Sequence, residues 1–89
     1  MQPTLICFPF AGGSATSLLP LTNYLKDDFS VKTVNYPGRG SRITEPLIYN
    51  LNDLAEDVFK QIENLLKPPY YLFGHSMGGL LIFLIIYII

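Results

Sequence analysis

The chain has 89 residues, 49% of them hydrophobic, and a formal net charge of -1. That balance excludes a disordered chain and leaves no electrostatic footprint for nucleic acid. The length suits one small domain or part of a larger one, since doubly wound α/β domains commonly run to roughly 200–250 residues.

The one cysteine, Cys7, lies in the apolar run Leu5-Ile6-Cys7-Phe8 and reads as a small buried hydrophobe rather than a reactive thiol. The N-terminus shows no basic stretch leading into a long apolar one and no small-residue cleavage site, so a cytoplasmic setting is the default expectation.

Thr4 to Phe8 is predicted as a short buried strand. Pro9 to Gly13 forms the loop after it, where glycines permit unusual backbone angles. A helix is predicted to follow through about Lys26, with Ser14, Thr16 and Ser17 as candidate caps. Ser17 is preferred because it places Pro20 in the first turn. Phe29 to Asn35, rich in β-branched residues, is predicted as a second strand, and a long loop runs from Pro37 to about Tyr49. From Asn50, the apolar residues Leu51, Leu54, Ala55, Val58, Ile62, Leu65 and Leu66 recur at helical spacing, with Asn50 as cap and Asp53 in the first turn. Pro68 and Pro69 stop that helix, and Tyr70 to Phe73 form a third strand running into Gly74. Strands alternating with helices imply an α/β fold with parallel pairing and right-handed crossovers.

Gly74-His75-Ser76-Met77-Gly78 matches G-x-S-x-G between a predicted strand and a predicted helix, the context that a nucleophile elbow requires. A sharp turn there lifts Ser76 out of the strand end. The flanking glycines let the backbone pass where side chains would collide. The competing reading is a glycine-rich turn with Ser76 as an ordinary helix cap. His75 is a poor candidate for the base, because a residue inside the elbow points away from its neighbour's hydroxyl. Acyl transfer also needs donors aimed at the developing oxyanion. The backbone N–H of Met77 supplies one, and the loop after the first strand supplies the other, from Ala11 with Phe10 as second choice. A phosphate cradle is the alternative for that loop, but it has neither G-x-G-x-x-G nor a P-loop lysine. No cofactor and no metal site is expected.

Three stretches, LICFPFAGGSA at 5–15, YPGRGSR at 36–42 and YLFGHSMGG at 71–79, resemble the type II thioesterases that accompany nonribosomal peptide and polyketide synthetases. The resemblance implies an α/β-hydrolase fold whose first strand lies between the second and third (order 2-1-3). It further implies hydrolysis of acyl groups from the phosphopantetheine thiol of an acyl or peptidyl carrier protein, with Ser76 as nucleophile and Met77 and Ala11 as oxyanion donors. Phe10 stands where many relatives have histidine or tyrosine.

Arg39 and Arg42, on either side of Gly40, are candidates to meet a pantetheine phosphate or an acidic carrier protein, or else to brace the turn. The resemblance runs to Gly79. Beyond it the family has a mixed-polarity helix and then an aspartate and a histidine, whereas Leu80 to Ile89 are ten apolar residues, about half of the roughly 20 needed to span a bilayer. The expectation is therefore the N-terminal portion, residues 1–89, of a single thioesterase domain, ending after the elbow and inactive alone. The rival readings are a non-catalytic fragment and another serine hydrolase, an esterase or acyltransferase. The apolar tail is expected to cause association, relieved by lysine at Ile82, Leu84 and Ile86.

Overall fold

The computed structural model describes residues 2–89. Three strands, β1 (Thr4–Phe8), β2 (Ser30–Thr33) and β3 (Tyr70–Gly74), form a parallel sheet in the order β2-β1-β3. Helices α1 (Leu19–Leu25), α2 (Leu51–Ile62) and α3 (Met77–Ile88) alternate with them.

Side chains of a strand alternate between faces, and β1 uses both. Leu5 and Cys7 pack with Leu18 and Leu25 on the α1 side, while Ile6 and Phe8 pack with Val58, Ile62, Leu81 and Ile85 of α2 and α3. A central parallel strand covered on both faces must be apolar throughout, which accounts for the unbroken run. Burial also pushes the Cys7 thiol up from its ordinary value, so the sulfur stays protonated in the core.

The chain leaves β1 for β2 on one side and returns past β1 to β3. Crossovers of one hand that travel in opposite directions place their helices on opposite faces, as α1 and α2 lie here. The loops after β1 and β3 thus leave adjacent strand ends, where Phe8 lies opposite Gly74.

The third strand and the α2 cap agree with expectation: Asn50 Oδ1 accepts from the Asp53 N–H at 3.1 Å. Other boundaries differ for identifiable reasons. Ser17 does not cap α1. It lies in a 3-10 turn over Ala15–Leu18, where its Oγ accepts from the Ser14 N–H at 3.1 Å, and Pro20 still falls in the first turn of α1. The second strand is Ser30–Thr33 rather than 29–35. The Phe29 N–H bonds back to the carbonyl of Leu25, and Asn35 exchanges its backbone bonds with the side-chain amide of Gln61. Regular α-helix in α2 ends at Ile62, and a 3-10 turn at Glu63–Leu65 follows.

The apolar tail forms the helix predicted after the elbow. Gly78, Leu81 and Ile85, spaced to share one face, are buried against the sheet and α2. Leu80, Phe83, Ile86 and Tyr87 are exposed, and Ile82 and Leu84 pack partly against the core. Lysine at 82 and 84 would therefore fall on the packed side, not the open one. No helix among the described residues is long and apolar enough to cross a membrane.

Candidate functional site

The elbow is built from two close approaches. A Cβ at Gly78 would run into the carbonyl of Phe8 on the central strand, and one at Gly74 would run into the backbone of Gly78 and Gly79. Only glycine lets the start of α3 lie against β1 and the end of β3 turn back beneath it. The His75 N–H donates to the Phe8 carbonyl at 3.0 Å, which continues the β1–β3 pairing to the foot of the turn.

Ser76 itself has φ 58° and ψ -115° and is the single described non-glycine residue with positive φ. Such a conformation costs of order 1–3 kcal/mol and persists only where the surroundings enforce it. Although Ser76 occupies the cap position of α3, its hydroxyl makes no capping hydrogen bond, whereas its carbonyl accepts from the Gly79 N–H at 2.9 Å. The ordinary helix-cap reading is therefore excluded. The hydroxyl is left exposed at the carboxyl end of the sheet, over the N-terminus of a helix.

The loop after β1 is fixed from below. The Tyr36 hydroxyl donates to the carbonyl of Pro9 at 2.6 Å, and both residues are buried. The Gly13 N–H donates to the Phe10 carbonyl at 2.9 Å, closing a turn that uses Gly12 at φ 79°. Asn35 Oδ1 accepts from the Ala15 N–H at 3.1 Å, while its amide nitrogen donates to Ser41 Oγ at 2.9 Å, joining this loop to the next. With the Phe10 carbonyl engaged, the N–H groups of Phe10 and Ala11 have no partner among the described residues, and neither has that of Met77 at the start of α3.

Ala11, Gly12 and Met77 line one cavity of about 170 Å³, with Tyr36, Pro37, Arg39, Leu47, Ile48, Tyr49 and Leu54 completing the wall. The elbow and the first loop thus share a cavity, to which the long 37–49 loop adds a third side. His75 is exposed, its ring edge-on to Phe10 with centroids 5.5 Å apart, and neither of these two nor Ser76 is among the residues that line the cavity.

The two arginines part company. Arg42 gives Nη1 and Nη2 to Asp57 at 2.6 and 2.8 Å, Nε and Nη2 to Glu45 at 2.8 Å each, and Nη1 also to the Asn35 carbonyl at 3.2 Å. Hydrogen bonds donated to Asp57 and then to Glu45 raise the guanidinium above its ordinary value, while Arg42 holds the Glu45 carboxyl below its own. Arg42 is the brace that ties the loop to α2. Arg39 lines the cavity instead.

Tyr36, Asn35 and Asp57 escape the sequence reading. Tyr36 lay in a stretch already singled out, and a tyrosine directly after a strand and before Pro-Gly was the available signal. Asn35 and Asp57 carried none.

The thioesterase domain model matches residues 3–85. The chain belongs to the thioesterase family. The match extends past Gly79, so the apolar helix is part of the family domain and not where likeness ends. A probable cadicidin biosynthesis thioesterase of Streptomyces griseus is 40% identical over 79 residues, covering 89% of this chain and 22% of that protein. The gramicidin S biosynthesis protein GrsT of Aneurinibacillus migulanus is 34% identical over 79 residues, covering 89% and 31%. The crystal structure of ClbQ from the colibactin NRPS/PKS pathway superposes with a TM-score of 0.87 at 32% identity, over 99% of this chain and 38% of that one. The chain thus spans about a fifth to two fifths of these relatives, and its parallel sheet and flanking helices are those of the α/β-hydrolase thioesterases.

Proposed function

We propose that these residues supply the nucleophile and oxyanion-stabilising part of a serine thioesterase that releases acyl groups from the phosphopantetheine thiol of an acyl or peptidyl carrier protein in nonribosomal peptide or polyketide synthesis. The observation that carries this reading is Ser76. It is strained, flanked by close-packed glycines, not used as a cap, and followed by Met77, a residue that lines the same cavity as Ala11. The pathway assignment rests on the relatives' names.

In this mechanism the Ser76 Oγ attacks the thioester carbonyl and the C–S bond breaks. The pantetheine thiol leaves with the proton that the serine gave up, and an acyl-serine remains. Water then adds to the ester, and the products are the free acid and the restored hydroxyl. In both steps the carbonyl oxygen gains charge, which the N–H groups of Met77 and Ala11 stabilise; a lost donor of this kind costs about 10²–10³ in turnover.

The single histidine, His75, sits within the elbow with its ring against Phe10, so the base and its acidic partner are assigned to the rest of a longer domain. Residues 1–89 then form the N-terminal portion of that domain, its remainder covering the open face of α3. The test is hydrolysis of acyl-phosphopantetheinyl carrier protein. The complete domain turns over and Ser76→Ala does not, while the 89 residues alone stay near background. Full activity in Ser76→Ala overturns the proposal.

A further inference from the structure

The loop between β2 and α2 holds one arginine whose donors are all consumed and one whose donors are free. Asp57, Glu45 and the Asn35 carbonyl engage Arg42, whereas no described side chain or carbonyl engages the Arg39 guanidinium. Arg39 is half-buried and is the one charged residue among those lining the cavity.

Its placement is enforced by the backbone. Gly38 at φ 81° and Gly40 at φ 52° lie on either side of Arg39, which is extended at φ -134° and ψ 154°. The Gly38 N–H donates to the Arg42 carbonyl at 2.9 Å, and the Arg39 N–H donates to that of Tyr36 at 3.0 Å. A Cβ at Gly38 would push aside the Leu47 side chain and one at Gly40 that of Asn35, and the left-handed backbone at both positions is strained for any larger residue. Two left-handed glycines therefore hold a lone cation at a largely apolar cavity that Ala11 and Met77 also line.

We infer that Arg39 is the anion-recognising residue of this cavity, binding a phosphate or carboxylate oxygen pair carried by the substrate. A guanidinium presents a planar fork of donors that matches either group bidentately, and partial burial strengthens the pairing relative to open water. The inference rests on the thioesterase reading for what the substrate is. It leaves two sources for the anion, the phosphate of the pantetheine arm and a carboxylate on the acyl group.

The test reads binding and not turnover, so it stands apart from the role of Ser76. Calorimetry on the full-length protein compares 4'-phosphopantetheine with pantetheine, and malonyl- with acetyl-N-acetylcysteamine. In at least one pair the charged member binds about tenfold tighter. Arg39→Gln removes that preference and leaves affinity for the neutral member unchanged, and Arg39→Lys restores part of it. The pair that responds identifies the source of the anion. Equal binding within both pairs, a preference that survives Arg39→Gln, or an equal fall for charged and neutral compounds overturns the inference.

Discussion

The Tyr36 hydroxyl, three residues past the end of β2, holds the Pro9 carbonyl at 2.6 Å and so sets the pitch of the loop that carries Phe10 and Ala11. Burial raises the phenol's pKa well above its ordinary value, so it remains a donor at any physiological pH. Tyr36→Phe keeps the ring in the core and removes only this bond, leaving a buried carbonyl unpaired at a cost of about 1–3 kcal/mol. On the proposed mechanism, in which the loop's N–H groups stabilise the charged intermediate, kcat of the complete domain is expected to fall with KM nearly unchanged. Steady-state kinetics beside a denaturation curve checks both.

The glycines divide by cause. Gly78→Ala forces a methyl into the Phe8 carbonyl on the central strand, which cannot retreat, and should cost several kcal/mol, about the upper end of overpacking changes. At Gly12 no atom lies within 4 Å, and the penalty there is the left-handed backbone alone, about 1–2 kcal/mol. Chemical denaturation of the two variants should rank them in that order.

The pair formed by Arg42 and Asp57 is mostly shielded, with side-chain exposures of 19% and 24%, so its strength lies between the roughly 0–1 kcal/mol of a surface pair and the 3–5 of a broken buried one. Arg42→Gln, Asp57→Asn and the double variant form a cycle with a coupling energy of about 1–3 kcal/mol. Glu45 adds a pH dependence. Its carboxyl is held below its unfolded value by Arg42, so its share of stability is present above the ordinary carboxylate pKa and is lost as pH falls through the depressed one. Because Glu45 is exposed, that share is small and fades with salt.

Much of the architecture was legible because it follows from periodicity and punctuation. An apolar run too short for a helix gave β1, the spacing from Leu51 to Ile62 gave α2 with its cap, and glycine spacing around Ser76 gave the elbow. What stayed hidden depends on atoms distant in sequence. The Asn35 side chain bridges Ala15 and Ser41, and the Gln61 amide ends β2, but neither leaves a local pattern. The tail misled because its composition has no polar face; which side of α3 is open is decided by Gly78, Leu81 and Ile85 meeting the sheet.

That open side carries its own prediction. Leu80, Phe83 and Tyr87 follow one another at helical spacing and are each more than half exposed, a contiguous apolar stripe of the kind that favours association. Lysine at these three positions should turn the 89-residue chain from associated to monomeric in size-exclusion chromatography, whereas lysine at Ile82 and Leu84 should unfold it.

The central claim is that Ser76 is the nucleophile. Incubation of the complete domain with a fluorophosphonate, digestion and mass spectrometry tests it most directly. The account predicts a single adduct on the peptide containing Gly74 to Gly79, localised to Ser76 and absent in Ser76→Ala. An adduct on another residue, or labelling undiminished in Ser76→Ala, would contradict it.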